Sequence, residues 1–125
     1  MLRDLSLAAK AACSKEDQES LVPIVKQLQG LSEIAKKSGM LALEDEQKNV
    51  EDRFLRLGLQ LIIDRTEPEN VKDVLDSDIY YNESNGRELL KKIIIREALL
   101  RIQAGDTPRN VKICTSVFLG KVDQS

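Results

Sequence analysis

The residues with most chemical potential in this chain are the carboxylates Glu44, Asp45, Glu46, Glu51 and Asp52, crowded into one short acidic stretch. Carboxylate oxygens are what a hard divalent cation selects, so this is the chain's nearest approach to a metal site. The stretch lacks the alternating oxygen ligands and fixed glycine of an EF-hand loop, and it reads as a solvated helix end. The sequence contains no histidine, which removes both the usual general base near neutral pH and the commonest metal ligand. Cys13 and Cys114 stand far apart with no neighbouring cysteine or histidine, as expected of two reduced thiols in a cytosolic protein. The glycines are scattered singly and build no phosphate-cradling loop. These residues predict no catalytic, metal or cofactor site, and a protein that is not an enzyme.

Composition points the same way. A chain of 125 residues, 42% hydrophobic and 32% charged, suffices for one buried core, so a single domain over 1–125 is expected. A net charge of −2 sets up no field to attract phosphate backbones, and 3% aromatic residues offer little for bases to stack on, which argues against nucleic-acid binding. Every apolar run is soon cut by Lys, Arg, Asp or Glu, whereas a membrane span needs about 18 to 20 nearly uncharged residues. The segment Met1 to Cys13 carries Arg3, Asp4 and Lys10 and reads as a short amphipathic helix, not a signal peptide.

The elements that must position any functional surface are helical by period and by punctuation. A helix over about 21–38 is predicted from Ser20 as cap, Pro23 in the first turn, and Gly39 as a left-handed stop after Lys36 and Lys37. Asn49 is the expected cap of a helix over about 50–64, on which Arg53, Arg56, Gln60 and Asp64 share one narrow polar stripe. Apolar residues surround the rest, so this helix belongs at the centre of the fold. Gly58 lies in the apolar arc, and a close helix crossing would offset its cost of about 1 kcal/mol in helix propensity. Glu44 and Lys48 are spaced for an i,i+4 ion pair.

A further helix starts at Pro68 and runs through Ile79, and a loop is expected over Asn82 to Gly86. From Arg87 to Ala104 apolar residues again cover most of the circumference, leaving Lys92, Arg96 and Gln103 as the polar stripe. That helix must be buried on several sides or lie against a second copy of the chain. Gly105 ends it, and Thr107 with Pro108 begins a last helix whose core face is read as Val111, Ile113, Val117, Phe118 and Leu119. The expected class is all-α, a compact bundle of about five to six helices. No internal repeat or low-complexity tract stands out.

Two blocks carry a family resemblance. Gly39-Met40-Leu41-Ala42-Leu43-Glu44, Glu51-Asp52-Arg53-Phe54 through Ile63-Asp64, and Thr66-Glu67-Pro68 resemble the cytoplasmic loop of the MotA family of flagellar stator proteins, a likeness spanning about 1–79. Glu97 to Arg109 is similar to the tail that follows the last membrane helix of that family, within a block of 87–120. Arg65 stands where the family usually has glycine after the aspartate, Ala98 where it has another, and Asp45 where it has a basic residue beside the motif glutamate. The channel helices that would separate the blocks are missing.

The resemblance implies contact with a FliG-type rotor protein or with stator subunits, without ion conduction, in the cytoplasm at or near the inner face of the membrane. The family touches the rotor through charged side chains of this loop; the corresponding region here offers Lys36, Lys37, Glu44, Asp45, Lys48, Arg53 and Arg56. Two other readings compete: a helical adaptor with no remaining motility role, and a small-ligand-binding or catalytic domain, which would need a polar pocket.

Overall fold

The helical period is realised throughout the residues that the structure, a computed structural model, describes, namely 5–82 and 84–120. In chain order these form α1 (Leu5–Lys10), α2 (Lys15–Glu19), α3 (Val22–Ser38), a 3₁₀ turn (Met40–Ala42), α4 (Leu43–Gln47), α5 (Arg53–Ile63), α6 (Pro68–Tyr81), α7 (Gly86–Gln103), α8 (Pro108–Ser116) and a second 3₁₀ turn (Val117–Leu119). No strand occurs among them. The class is all-α, and buried residues from Ala11 to Leu119 make one apolar cluster.

Two boundary expectations are corrected. Ser20 does not cap α3: it is the C-cap that follows the short α2, and Leu21 precedes α3 without a side-chain bond. Pro23 in the first turn, where a missing N–H does no harm, sets that start instead. Likewise α5 begins after Asp52, not Asn49; the Asp52 carboxylate accepts from the Leu55 N–H at 2.9 Å. Val50, expected inside the helix, is a buried anchor of the preceding loop. By contrast, Thr107 Oγ1 accepts from the Asn110 N–H at 3.1 Å, as a cap for α8 should.

Helix α5 has the predicted cross-section, with Arg53, Arg56, Gln60 and Asp64 exposed and Phe54, Leu55, Leu59, Ile62 and Ile63 buried. It crosses α7 at Gly58, where an added Cβ would overlap the Leu99 Cδ1 methyl. Helix α7 is the axis of the molecule, packed by α3, α5, α6 and α8. Its apolar circumference is thereby covered within one chain, with Leu89, Ile94, Ile95, Ala98 and Leu99 at most 1% exposed, so no second copy is required to bury it.

The polar stripe of α7 is neither wet nor idle. Lys91 Nζ reaches Asp52 at 2.6 Å and Glu88 at 2.8 Å, Lys92 pairs with Asp78 at 2.8 Å, Arg96 pairs with Asp76, and Gln103 donates to the Thr66 carbonyl at 2.6 Å. In α8 the core face is Val111, Thr115 and Ser116, followed by Leu119; Ile113 and Val117, expected inside, are 50% and 65% exposed. The buried Thr115 hydroxyl donates to the Val111 carbonyl at 2.7 Å, which lets a polar residue occupy a core position.

The expectation of no internal repeat is also overturned. Hairpins α5–α6 and α7–α8 are two versions of one unit, offset by forty positions: Pro68-Glu69-Asn70-Val71-Lys72 returns as Pro108-Arg109-Asn110-Val111-Lys112. Buried residues coincide at Phe54 and Ile94, Leu55 and Ile95, Leu59 and Leu99, Ile62 and Ile102, Val71 and Val111, and Ile79 and Leu119. Both first helices end in the same Schellman turn. Arg65 N–H donates to Ile62 and Thr66 N–H to Leu61, as Gly105 N–H does to Ile102 and Asp106 N–H to Arg101.

Candidate functional site

The charged residues singled out by the resemblance sit on three consecutive elements. The last turn of α3 carries Lys36 and Lys37, and Gly39, at φ +88°, then breaks the helix. Leu43, fully buried, pins α4, which presents Glu44 and Asp45 outward and is followed by exposed Lys48. Buried Val50 and the Asp52 cap orient the start of α5, placing Arg53 and Arg56 on its wet stripe.

Tertiary packing divides this set. Lys36 turns away and donates from Nζ to the Gly105 carbonyl at 2.7 Å, where it satisfies the C-terminal end of α7. Lys48 pairs with Asp45 at 3.6 Å, not with Glu44; at 74% and 87% side-chain exposure this contact contributes little. Gln47 joins α4 to α5, its Nε2 donating to the Arg56 carbonyl and to Gln60 Oε1, both at 3.1 Å. Gln60 in turn donates to both carboxylate oxygens of Asp64 at 3.0 Å. Lys37, Glu44, Arg53 and Arg56 remain exposed, with no ion pair among the described residues.

The five acidic residues do not converge. Asp52 is engaged by the Leu55 N–H and by Lys91, while Asp45 faces Lys48. Burial alone would raise the pKa of Asp52, but the hydrogen bonds from Lys91 and from the α5 backbone outweigh it and hold the carboxyl below its ordinary range. Glu88 is lowered first by its hydrogen bond from Lys91. Lys91, though penalised by burial, is raised by the same two carboxylates. Cys13 is pushed up by burial and then by Asp17, which leaves it a poor thiolate, while Cys114 is a free thiol on α8.

The cluster Asp52–Lys91–Glu88, together with Lys92–Asp78 and Arg96–Asp76, clamps α5, α6 and α7, a role that helical period alone does not assign to these residues. Its signal was available in the i,i+4 spacing of Lys92 and Arg96 on α7 opposite Asp76 and Asp78 on α6. What the clamp supports is a rigid platform carrying exposed charges of both signs, an arrangement suited to steering and registering a protein partner.

Among the described residues no helix is long and apolar enough to cross a membrane. No family model matches the chain, and no solved structure matches it. It is 41% identical over 54 residues, or 43% of its length, to Motility protein A of Borreliella burgdorferi, of which this is 21%. It is 32% identical over 60 residues to Motility protein A of Treponema phagedenis, covering 48% of this chain and 23% of that one. The uncharacterized protein YtxD of Bacillus subtilis is 35% identical over 71 residues, 57% of this chain and 26% of its own. The chain therefore spans about a quarter of the length of the curated relatives it matches, and it is related at a distance to part of Motility protein A.

Proposed function

We propose that this chain is a flagellar-motor-related protein that works by protein contact in the cytoplasm, engaging a FliG-type rotor protein or stator subunits without conducting ions. The observation that carries this reading is the partial similarity to Motility protein A from separate organisms. The contact surface is the α4–α5 platform, with Glu44, Asp45, Lys48, Arg53 and Arg56, and Lys37 at its α3 edge. Lys36 contributes to the fold instead, through Gly105. Exposed charges of mixed sign speed encounter and fix register more than they add affinity, so the interaction is expected to be salt-sensitive.

The test is titration calorimetry of the full chain against a FliG-type rotor domain at low and high ionic strength. Lys37→Glu combined with Lys48→Glu should weaken binding about tenfold at low salt and change the salt slope. Unchanged affinity at low ionic strength would remove these lysines from the contact. No binding to rotor or stator domains under any condition would favour an adaptor role outside motility.

A further inference from the structure

Among the described residues Arg65 is the single non-glycine with a positive φ, +61°, and the repeat provides a direct comparison for it. Its counterpart Gly105 occupies the same Schellman turn at φ +81°, with the same pair of N–H donors returning to the preceding helix. Space does not explain why one turn uses arginine and the other glycine. A Cβ built on Gly105 meets nothing within 4 Å, and Arg65 is itself exposed. The side chain at 65 therefore costs backbone strain that the twin turn avoids. No contact inside the fold offsets it. Asp64, its neighbour in the chain, receives its side-chain bonds from Gln60, and Glu67 stands at the head of α6. Neither meets the Arg65 guanidinium, which forms no ion pair among the described residues. The helix dipole of α5 favours any cation after its last turn, lysine as well as arginine, and so does not select the guanidinium.

The turn that carries Arg65 is fastened in place. Gln103 donates to the Thr66 carbonyl at 2.6 Å and Lys36 to the Gly105 carbonyl at 2.7 Å, so the C-terminal ends of α3, α5 and α7 are tied together at one end of the bundle. Arg65 thus shares an end of the molecule with Lys37 and directly follows the α5 helix that bears Arg53 and Arg56. We propose that Arg65 is a contact residue of the partner surface, held outward by its strained turn so that its guanidinium binds a carboxylate of the protein partner. The occupant follows from the chemistry of the group: an unpaired guanidinium presents a planar fork of donors that a carboxylate matches with two parallel hydrogen bonds. This inference rests on the protein contact proposed above, and it extends that surface from the α4–α5 platform to the end of the bundle.

The test is surface plasmon resonance of the full chain on an immobilised FliG-type rotor domain, with melting temperatures measured alongside. Arg65→Gly should raise the melting temperature, because Gly105 already makes the same turn without strain, and should weaken binding about tenfold at low salt. Arg65→Lys keeps both the charge and the strained turn. It should associate at the wild-type rate and dissociate about fivefold faster, since an ammonium cannot form the paired bonds. Wild-type affinity in Arg65→Gly, or a wild-type dissociation rate in Arg65→Lys, overturns the inference and leaves the proposed function standing. A lowered melting temperature in Arg65→Gly would show that the side chain serves the fold and also overturns it. A wild-type chain that binds neither rotor nor stator domains overturns both readings together.

Discussion

Arg65 holds a left-handed backbone, φ +61°, at the position where its counterpart Gly105 has φ +81°. A side chain in that region costs about 1 to 2 kcal/mol, whereas glycine enters it freely at some expense in unfolded-chain entropy. Arg65→Gly should therefore stabilise the protein by about 0.5 to 1 kcal/mol, seen as a higher urea midpoint at unchanged slope. Gly58 lies at the other extreme. Alanine there would be nearly neutral, its gain in helix propensity offset by a shift of the Leu99 methyl. Gly58→Leu should destabilise by about 1 to 3 kcal/mol by wedging α5 from α7, a loss that the same urea titration would register.

Between elements, the clamp around Lys91 ties the start of α5 to α7, and it has a pH signature. Asp52 and Glu88 have folded pKa values below their unfolded ones, which are about 3.9 and 4.3. Their contribution is complete above those values and is lost as pH falls through the folded ones. Lys91 is raised above its unfolded value, so its share is complete at neutral pH and lost as pH rises beyond about 10.5. Lys91→Met should cost about 1 to 2 kcal/mol at pH 7 after allowing for partial solvent screening. The deficit should shrink towards pH 3, which chemical denaturation at several pH values can follow. Asp52→Asn keeps an oxygen acceptor for the Leu55 N–H while removing the charge, and should flatten the acid limb with a smaller loss at pH 7.

At the scale of the whole molecule, α7 is the residue block on which every other long helix depends. Ile94, Ile95, Ala98 and Leu99 are fully buried, and the helices around them come from both halves of the chain. Removing residues 87–125 would strip the inner faces of α3, α5 and α6, forfeiting several Leu and Ile burials at about 1.5 to 3 kcal/mol each, more than the usual margin of stability. The fragment 1–86 should accordingly be unfolded or aggregated by circular dichroism and sedimentation. A cooperative melt at the full-length temperature would show instead that the α7–α8 unit is an appendage. The repeat does not weaken this expectation, because each hairpin buries its apolar face only against a neighbouring helix: α7 on α5 and α6, and α3 on α7 and α8.

Local chemistry alone determined the helical class, the stop at Gly39, the Pro68 and Pro108 starts, the wet stripe of α5 and the close crossing at Gly58, because each depends on period, on a fixed φ or on a missing Cβ. It also marked Arg53 and Arg56 as part of a wet stripe, whereas the choice of the loop charges as a contact surface rests on the family resemblance. Which of those charges remain available was decided by tertiary structure: Lys36 is drawn to Gly105, sixty-nine residues away, and Asp45, not Glu44, meets Lys48. Ser20 and Asn49 are competent cap residues close to each start, but the starts themselves are set by Pro23 in the first turn of α3 and by the Asp52 carboxylate on the Leu55 N–H of α5. Ile113 and Val117 face outward because α8 packs on α3 and α7 through the arc that holds buried Val111 and Thr115, and Thr115 satisfies its own hydroxyl within the helix. Period alone cannot choose between two apolar arcs of one helix; the position of the neighbour does.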